Sequence, residues 1–152
     1  MQESVTTDRI PNRLEFCVTG RDEDYSMVTV SAADGQFAGA TDLYGADAVA
    51  AELATALEGF PRSPTDVREF TLGSRDERVA GGWVHFTCRC VDRAGHPVIE
   101  VELCDKYAAF GLGQRVAHVH LKVEAPAIDS FVLALRSWRI EMDSSVTLCG
   151  SR

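Results

Sequence analysis

The segment Trp83–Asp105 reads WVHFTCRCVDRAGHPVIEVELCD, and its apolar residues recur at every second position. Val84, Phe86, Cys88 and Cys90 are apolar at even numbers, and Ile99, Val101 and Leu103 at odd numbers. Such alternation marks strands with one covered and one wet face. A two-residue turn at Ala94-Gly95 sets Phe86 against Leu103, Cys88 against Val101 and Cys90 against Ile99. Apolar then meets apolar across a hairpin, whereas a one-residue slip sets Cys88 against Glu100 or Glu102. The polar set that faces the other way is His85, Thr87, Arg89, Glu100, Glu102 and Cys104.

Outward from the hairpin the same period returns. Arg13–Thr19, Tyr25–Ala33 and Gln36–Leu43 read as three strands, the last two joined by a turn at Asp34-Gly35, with Phe37 and Leu43 on one face. Arg68–Leu72 reads as a short strand. Arg115–Glu124 reads as another, with Ala117, Val119, Leu121 and Val123 inward and His118 and His120 outward. The period changes at Val49, Leu53, Leu57 and Phe60, which form one stripe of an alanine-rich helix ended by Gly59 and Pro61. A second helix starts at Pro126 and carries Ile128, Phe131, Val132, Leu135 and Trp138. Val146–Cys149 has the composition of a short edge strand. The order βββα-ββββα predicts an α+β fold: one antiparallel sheet of six to seven strands with two amphipathic helices on one face. Residues 1–12 are expected to be a loosely held segment, 13–140 the single domain, and 141–152 a tail or edge strand.

From Phe37 to Trp138 the chain resembles small bacterial domains of unknown function. The resemblance lies in FAGATDLYGADAVAAELATALEGFP, in CVDRAGHPVIEVEL and in VHLKVEAPAIDSFVLALRSW. It implies a fold, and no functional residue is carried over with it. By analogy with such domains, an immunity or accessory role beside a toxin is one expectation.

The 152 residues suit one domain, and the mix of 45% apolar and 25% charged residues is that of a folded chain. The formal charge of −8 and the scatter of the arginines speak against nucleic acid, which recruits a basic stripe. The same charge favours a basic protein partner. No apolar run approaches the ~20 residues that span a bilayer, so no membrane role is expected. The opening MQESVTTDRIPNR lacks an apolar core for export, and the five cysteines form no CxxC pair. A reducing cytoplasm is the expected location.

The candidate contact surface is therefore the polar face of the hairpin and its neighbour: His85, Thr87, Arg89, Glu100, Glu102, Cys104, His118 and His120. Three chemistries compete with plain protein contact there. His118 and His120 with Glu102 have the donor set of a divalent metal site, the alternative to a protein without cofactor. His85 opposite Cys104 has the composition of a thiolate dyad. A homodimer through sheet packing would cover the same face. Cys88 and Cys90 read as core filling, since free cysteine packs as a small hydrophobe. The link Lys106–Gln114 (KYAAFGLGQ) reads as a loop folded on its own aromatics, with a ligand mouth as its alternative. No Walker A, GxSxG, HExxH or GxGxxG motif occurs, and a non-catalytic interaction module is the leading expectation.

Overall fold

The computed structural model describes residues 10–106 and 113–151. Most of the expected loose segment 1–12, and most of the 106–114 link, lie outside them. Among the described residues the chain forms eight strands and two helices: β1 (Asn12–Arg21), β2 (Ser26–Asp34), β3 (Ala38–Tyr44), α1 (Ala46–Leu57), β4 (Arg68–Gly73), β5 (Trp83–Cys90), β6 (Pro97–Asp105), β7 (Arg115–Lys122), α2 (Ala125–Ser137) and β8 (Ser145–Cys149). They build two antiparallel sheets, β3-β2-β1-β8 and β4-β5-β6-β7. The single sheet of six to seven strands is thus corrected. The two meanders do not join edge to edge, and the C-terminal β8 returns to pair with β1. The fold remains a mixed α+β arrangement.

The split has a packing cause. Both sheets alternate, so each must bury one face, and the inner face of the first carries small residues where it meets the second. Inward positions of β3 are Gly39, Thr41 and Leu43. A Cβ on Gly39 would lie 2.4 Å from the Cβ of Ala117 in β7. Thr41 Oγ1 donates to the carbonyl of Cys104 in β6 at 2.9 Å, and a Cβ on Gly82, just before β5, would lie 2.0 Å from that hydroxyl. A Cβ on Gly73, the last residue of β4, would lie 2.8 Å from Leu43. Strand β3 therefore runs crosswise over the ends of all four strands of the second sheet, the geometry of orthogonal sheet packing.

The helices fill the rest of the core rather than lying on one face of one sheet. Helix α1 touches β2, β3 and β4, while α2 touches α1 and β8. The stripe Val49, Leu53, Leu57 and Phe60 is buried, as are Ile128, Phe131, Val132 and Leu135. Phe131 meets Phe16 of β1 at 6.3 Å between ring centroids. The first turn of α1 lacks a side-chain cap of its own at Gly45, and the hydroxyl of Ser26 in β2 accepts from the Ala46 N–H instead. At the other end, the Arg68 guanidinium donates to the carbonyls of Ala56 and Glu58, satisfying orphan acceptors of the helix terminus. Asp66 holds that guanidinium at 3.0 Å. In turn, the bond from Arg68 holds the Asp66 carboxyl below the usual aspartate range.

Two local expectations are corrected. The β5–β6 turn has four residues, Asp92–Gly95, closed by Val91 N–H on the His96 carbonyl at 3.0 Å. Phe86 accordingly pairs with Val101 and Cys88 with Ile99, two residues away from the expected partners. Asp92 is the cause: its Oδ1 accepts from the N–H groups of Ala94 and His96, and its Oδ2 contacts His96 Nδ1 at 2.6 Å. Phe37, expected to share the face of buried Leu43 in the third strand, is 65% exposed. It sits in the β2–β3 turn, where its N–H bonds the Asp34 carboxylate, and β3 begins one residue later.

Asp34 also ties the sheets together away from the crossing. Its carboxylate accepts from Gln36 and Phe37 in its own turn and from the His120 N–H on the edge of β7. Partial burial pushes this carboxyl up, but the three N–H groups outweigh it and hold it below the ordinary aspartate value.

Gly82→Ala must push either Thr41 or the Cys104 carbonyl, both backed by packed strands. It should destabilise the protein by about 1–3 kcal/mol, the usual cost of overpacking. Chemical denaturation should show a lower midpoint at unchanged slope; a midpoint equal to that of the parent protein would contradict the crossing described above.

Candidate functional site

The outward residues of the second sheet stand in register as a grid. Glu69, Thr87, Glu100 and His120 form one cross-strand row, and Thr71, His85, Glu102 and His118 the next. Seven of the eight residues singled out from the sequence share this face. The pairing of β6 with β7 sets His118 opposite Glu102 and His120 opposite Glu100, as expected.

Cys104 is the exception. It follows the same parity but is fully buried, opposite Trp83 and Val116. Gln114 lies over its thiol at 3.8 Å. Burial pushes this thiol up, and Asp105 and Glu102 add to the effect against Lys106 and Arg75. His85 faces Glu102 rather than Cys104, so the expected Cys–His dyad is absent. Nearby, the β4–β5 loop is gathered around Lys106: the ammonium donates to the carbonyls of Ser74, Asp76 and Val79 at 2.7–2.8 Å. Arg75 from the same loop stacks 4.0 Å over the Trp83 ring.

The partners of His85 come from β4, outside the hairpin face singled out from the sequence. His85 Nε2 contacts Glu69 Oε1 at 2.8 Å, and Nδ1 contacts Thr71 Oγ1 at 2.7 Å. With the carboxylate accepting at Nε2, a neutral ring carries its proton there and accepts at Nδ1 from the Thr71 hydroxyl. That is the order of a hydroxyl–imidazole–carboxylate relay, with Thr71 and His85 directly opposite and Glu69 diagonal to His85 in the neighbouring row. The signal was present in REFTLG, where Glu69 and Thr71 alternate with Phe70 and Leu72.

Elsewhere on the face Glu100 has partners within the sheet, while Glu102 forms no ion pair among the described residues. Glu100 meets Arg89 at 3.3 Å and His120 Nε2 at 3.8 Å. The rings of His118 and His120 stand edge to face at 4.9 Å. Among the described residues, no three His, Cys, Asp or Glu side chains are placed to hold a metal ion. None of the five open grooves described on the surface is lined by His85, Glu102 or His118, though one of about 830 Å³ is lined by His120 together with Asp34 and Lys122.

A second surface has a different electrostatic character. The β1–β2 turn and the start of α1 bring Asp22, Glu23, Asp24 and Asp47 around an open groove of about 450 Å³, together with Arg21 and Tyr25. Tyr44 belongs both to this groove and to a neighbouring one of about 330 Å³ that holds Asp42. Tyr25 and Tyr44 are 45% and 49% exposed, with ring centroids 6.2 Å apart. Asp22 accepts from the N–H groups of Asp24 and Tyr25, and Asp42 from the Thr29 hydroxyl. Among the described residues, none of Asp22, Glu23, Asp24, Asp42 and Asp47 forms an ion pair.

No family model, no curated protein and no solved structure matches this chain. The fold and these surfaces define a mixed α+β protein with two antiparallel sheets and, among the described residues, no helix long and apolar enough to cross a membrane.

All five cysteines are free. Burial pushes the Cys88 thiol up to about 12. Iodoacetamide at pH 8 should therefore modify exposed Cys149 and leave Cys88 and Cys104 unmodified until the chain unfolds. Raising the pH to 9 should not change that order. Native-state labelling of Cys104 ahead of Cys149, read by peptide mass spectrometry, would contradict its burial.

Proposed function

We propose that the protein is a non-catalytic interaction module that binds a basic protein partner, in the manner of an immunity or accessory protein. The observation that carries this reading is the acidic end: five carboxylates that form no ion pair among the described residues, set around two exposed tyrosines. Unmatched charge steers encounter with the opposite charge, whereas charge already paired within a face does not. Tyrosine supplies contact area at low entropic cost and is enriched at interfaces. The His/Glu face, singled out first from the sequence, is the weaker candidate because Arg89, His85 and His120 already contact two of its three glutamates, Glu69 and Glu100, within the sheet.

Capture from native lysate tests this reading. The protein should retain a polypeptide of basic composition at low salt and release it at high salt. The triple variant Asp22→Lys, Asp24→Lys, Asp47→Lys should associate about tenfold more slowly or not at all. Retention that is unchanged in the triple variant, or a protein that retains nothing and runs as a monomer, would overturn it.

The Glu69–His85–Thr71 chain favours a second reading, a small enzyme that uses Thr71 as nucleophile. Hydrolysis of an activated ester should then fall to the solution background in Thr71→Val and His85→Ala. Equal rates in the parent and both variants would remove this alternative.

A further inference from the structure

The edge of β3 is an exposed strand edge with a trough along it. Its ladder with β2 starts from Asp34 N–H on the Phe37 carbonyl, so the next pair, Ala33 and Ala38, is not bonded, and the bonded pairs fall at Gly39, Thr41 and Leu43. The N–H and C=O groups of Ala38, Ala40 and Asp42 consequently point away from β2. The bond from Gly82 N–H to the Asp42 carbonyl at 2.8 Å confirms that parity. It also closes the edge at Asp42. Among the described residues, nothing bonds the outward groups of Ala38 and Ala40.

The surroundings of this edge are suited to an added strand. Ala38 and Ala40 are exposed and small, so a second backbone can approach closely. On the inner side lies a groove of about 240 Å³ lined by Leu103, Val116 and Ala117, with the Asp105–Arg115 pair at its rim. Ala40 and Asp105 border both this groove and the one that holds Asp42 and Tyr44, which continues to the acidic end. Unpaired strand edges are templates for another chain, and side chains of an added strand alternate between two sides. One side would meet the Asp42 row and the other the apolar groove.

We propose that an extended segment of a partner, alternating basic and apolar residues, adds as an antiparallel strand to the β3 edge at Ala38–Ala40. Its basic side chains lie over Asp42 toward the acidic end, and its apolar side chains enter the groove beside Leu103 and Ala117. This proposal rests on the reading that the partner is basic and specifies how it is held.

The probe is the capped peptide acetyl-Lys-Val-Lys-Val-Lys-amide, titrated against the whole protein. Residues opposite Ala38 and Ala40 share their face, so the lysine amides make the bonds and the valine amides point to solvent. N-methylation of the lysine amides should abolish binding, and N-methylation of the valine amides should be tolerated. Hydrogen exchange at the Ala38 and Ala40 amides should slow when the peptide is present. Ala40→Pro removes one outward donor and no ladder bond, and should weaken binding about five- to tenfold. If that variant fails to fold, the pair of methylated peptides still decides. Equal affinity of the two methylated peptides, or no binding of the parent peptide, would overturn strand addition. If the triple lysine variant alone loses the peptide while Ala40→Pro and both methylated forms bind normally, the acidic surface stands and strand addition is wrong. The lysate capture decides the broader reading independently.

Discussion

Strand β3 lying across the ends of four other strands is the contact on which the architecture depends. Gly39 rests on Ala117, Thr41 donates to the Cys104 carbonyl, and Gly82 and Gly73 leave the space that β3 occupies. Two backbones this close cannot carry side chains between them, so glycine appears on whichever strand the approach is tightest. Thr41 is the only polar or charged residue among those described that is buried, and its hydroxyl is satisfied across the sheets. That bond offsets the cost of taking the hydroxyl out of water. Once the crossing is made, the sheets share one core and the two helices occupy the remaining apolar volume.

The crossing also shapes the surface. Because β3 passes over the end of the second sheet, its outer edge faces solvent beside Asp105 and the gathered loop of Lys106. Because β1, β2 and α1 meet at the same end, the acidic turn Asp22–Asp24 lies near the N-terminus of α1. A negative charge there is favoured by the helix dipole, which stabilises Asp47 without a cation beside it. The second sheet differs: Glu69 and Glu100 contact His85, Arg89 and His120 across neighbouring strands, cross-strand contacts worth roughly 0.2–1 kcal/mol each. Glu69 and Glu100 thus have partners within their own face, whereas Asp22, Glu23, Asp24, Asp42 and Asp47 form no ion pair among the described residues.

The sequence was readable where a period could be counted. Alternation in Trp83–Asp105 assigned the two faces of the hairpin, and the face assignment survived a register error because the error was two residues, an even number. Asp92 could not be weighed against Ala94-Gly95 from sequence, since both are turn formers and only the side-chain bonds of Asp92 distinguish a four-residue turn from a two-residue one. Parity places Cys104 on the polar face, yet it is buried, because Trp83 and Val116 flank it and Gln114 lies over its thiol, which alternation along one strand does not record. Glu69 and Thr71 were legible as the outer face of a short strand, but their meeting with His85 depends on which strand lies beside β5.

Local periodicity, turn chemistry and helix stripes, all properties of neighbouring residues, determined the elements and the inward set. Tertiary structure alone decided that eight strands make two sheets, that β8 returns to β1, and that an acidic turn, a helix start and a strand edge share one end of the molecule. The reason is that an alternating strand records which side is apolar but not which apolar surface will cover it. That choice is made by close approach between distant segments, where the absence of a Cβ at Gly39 and Gly82 matters as much as any side chain present.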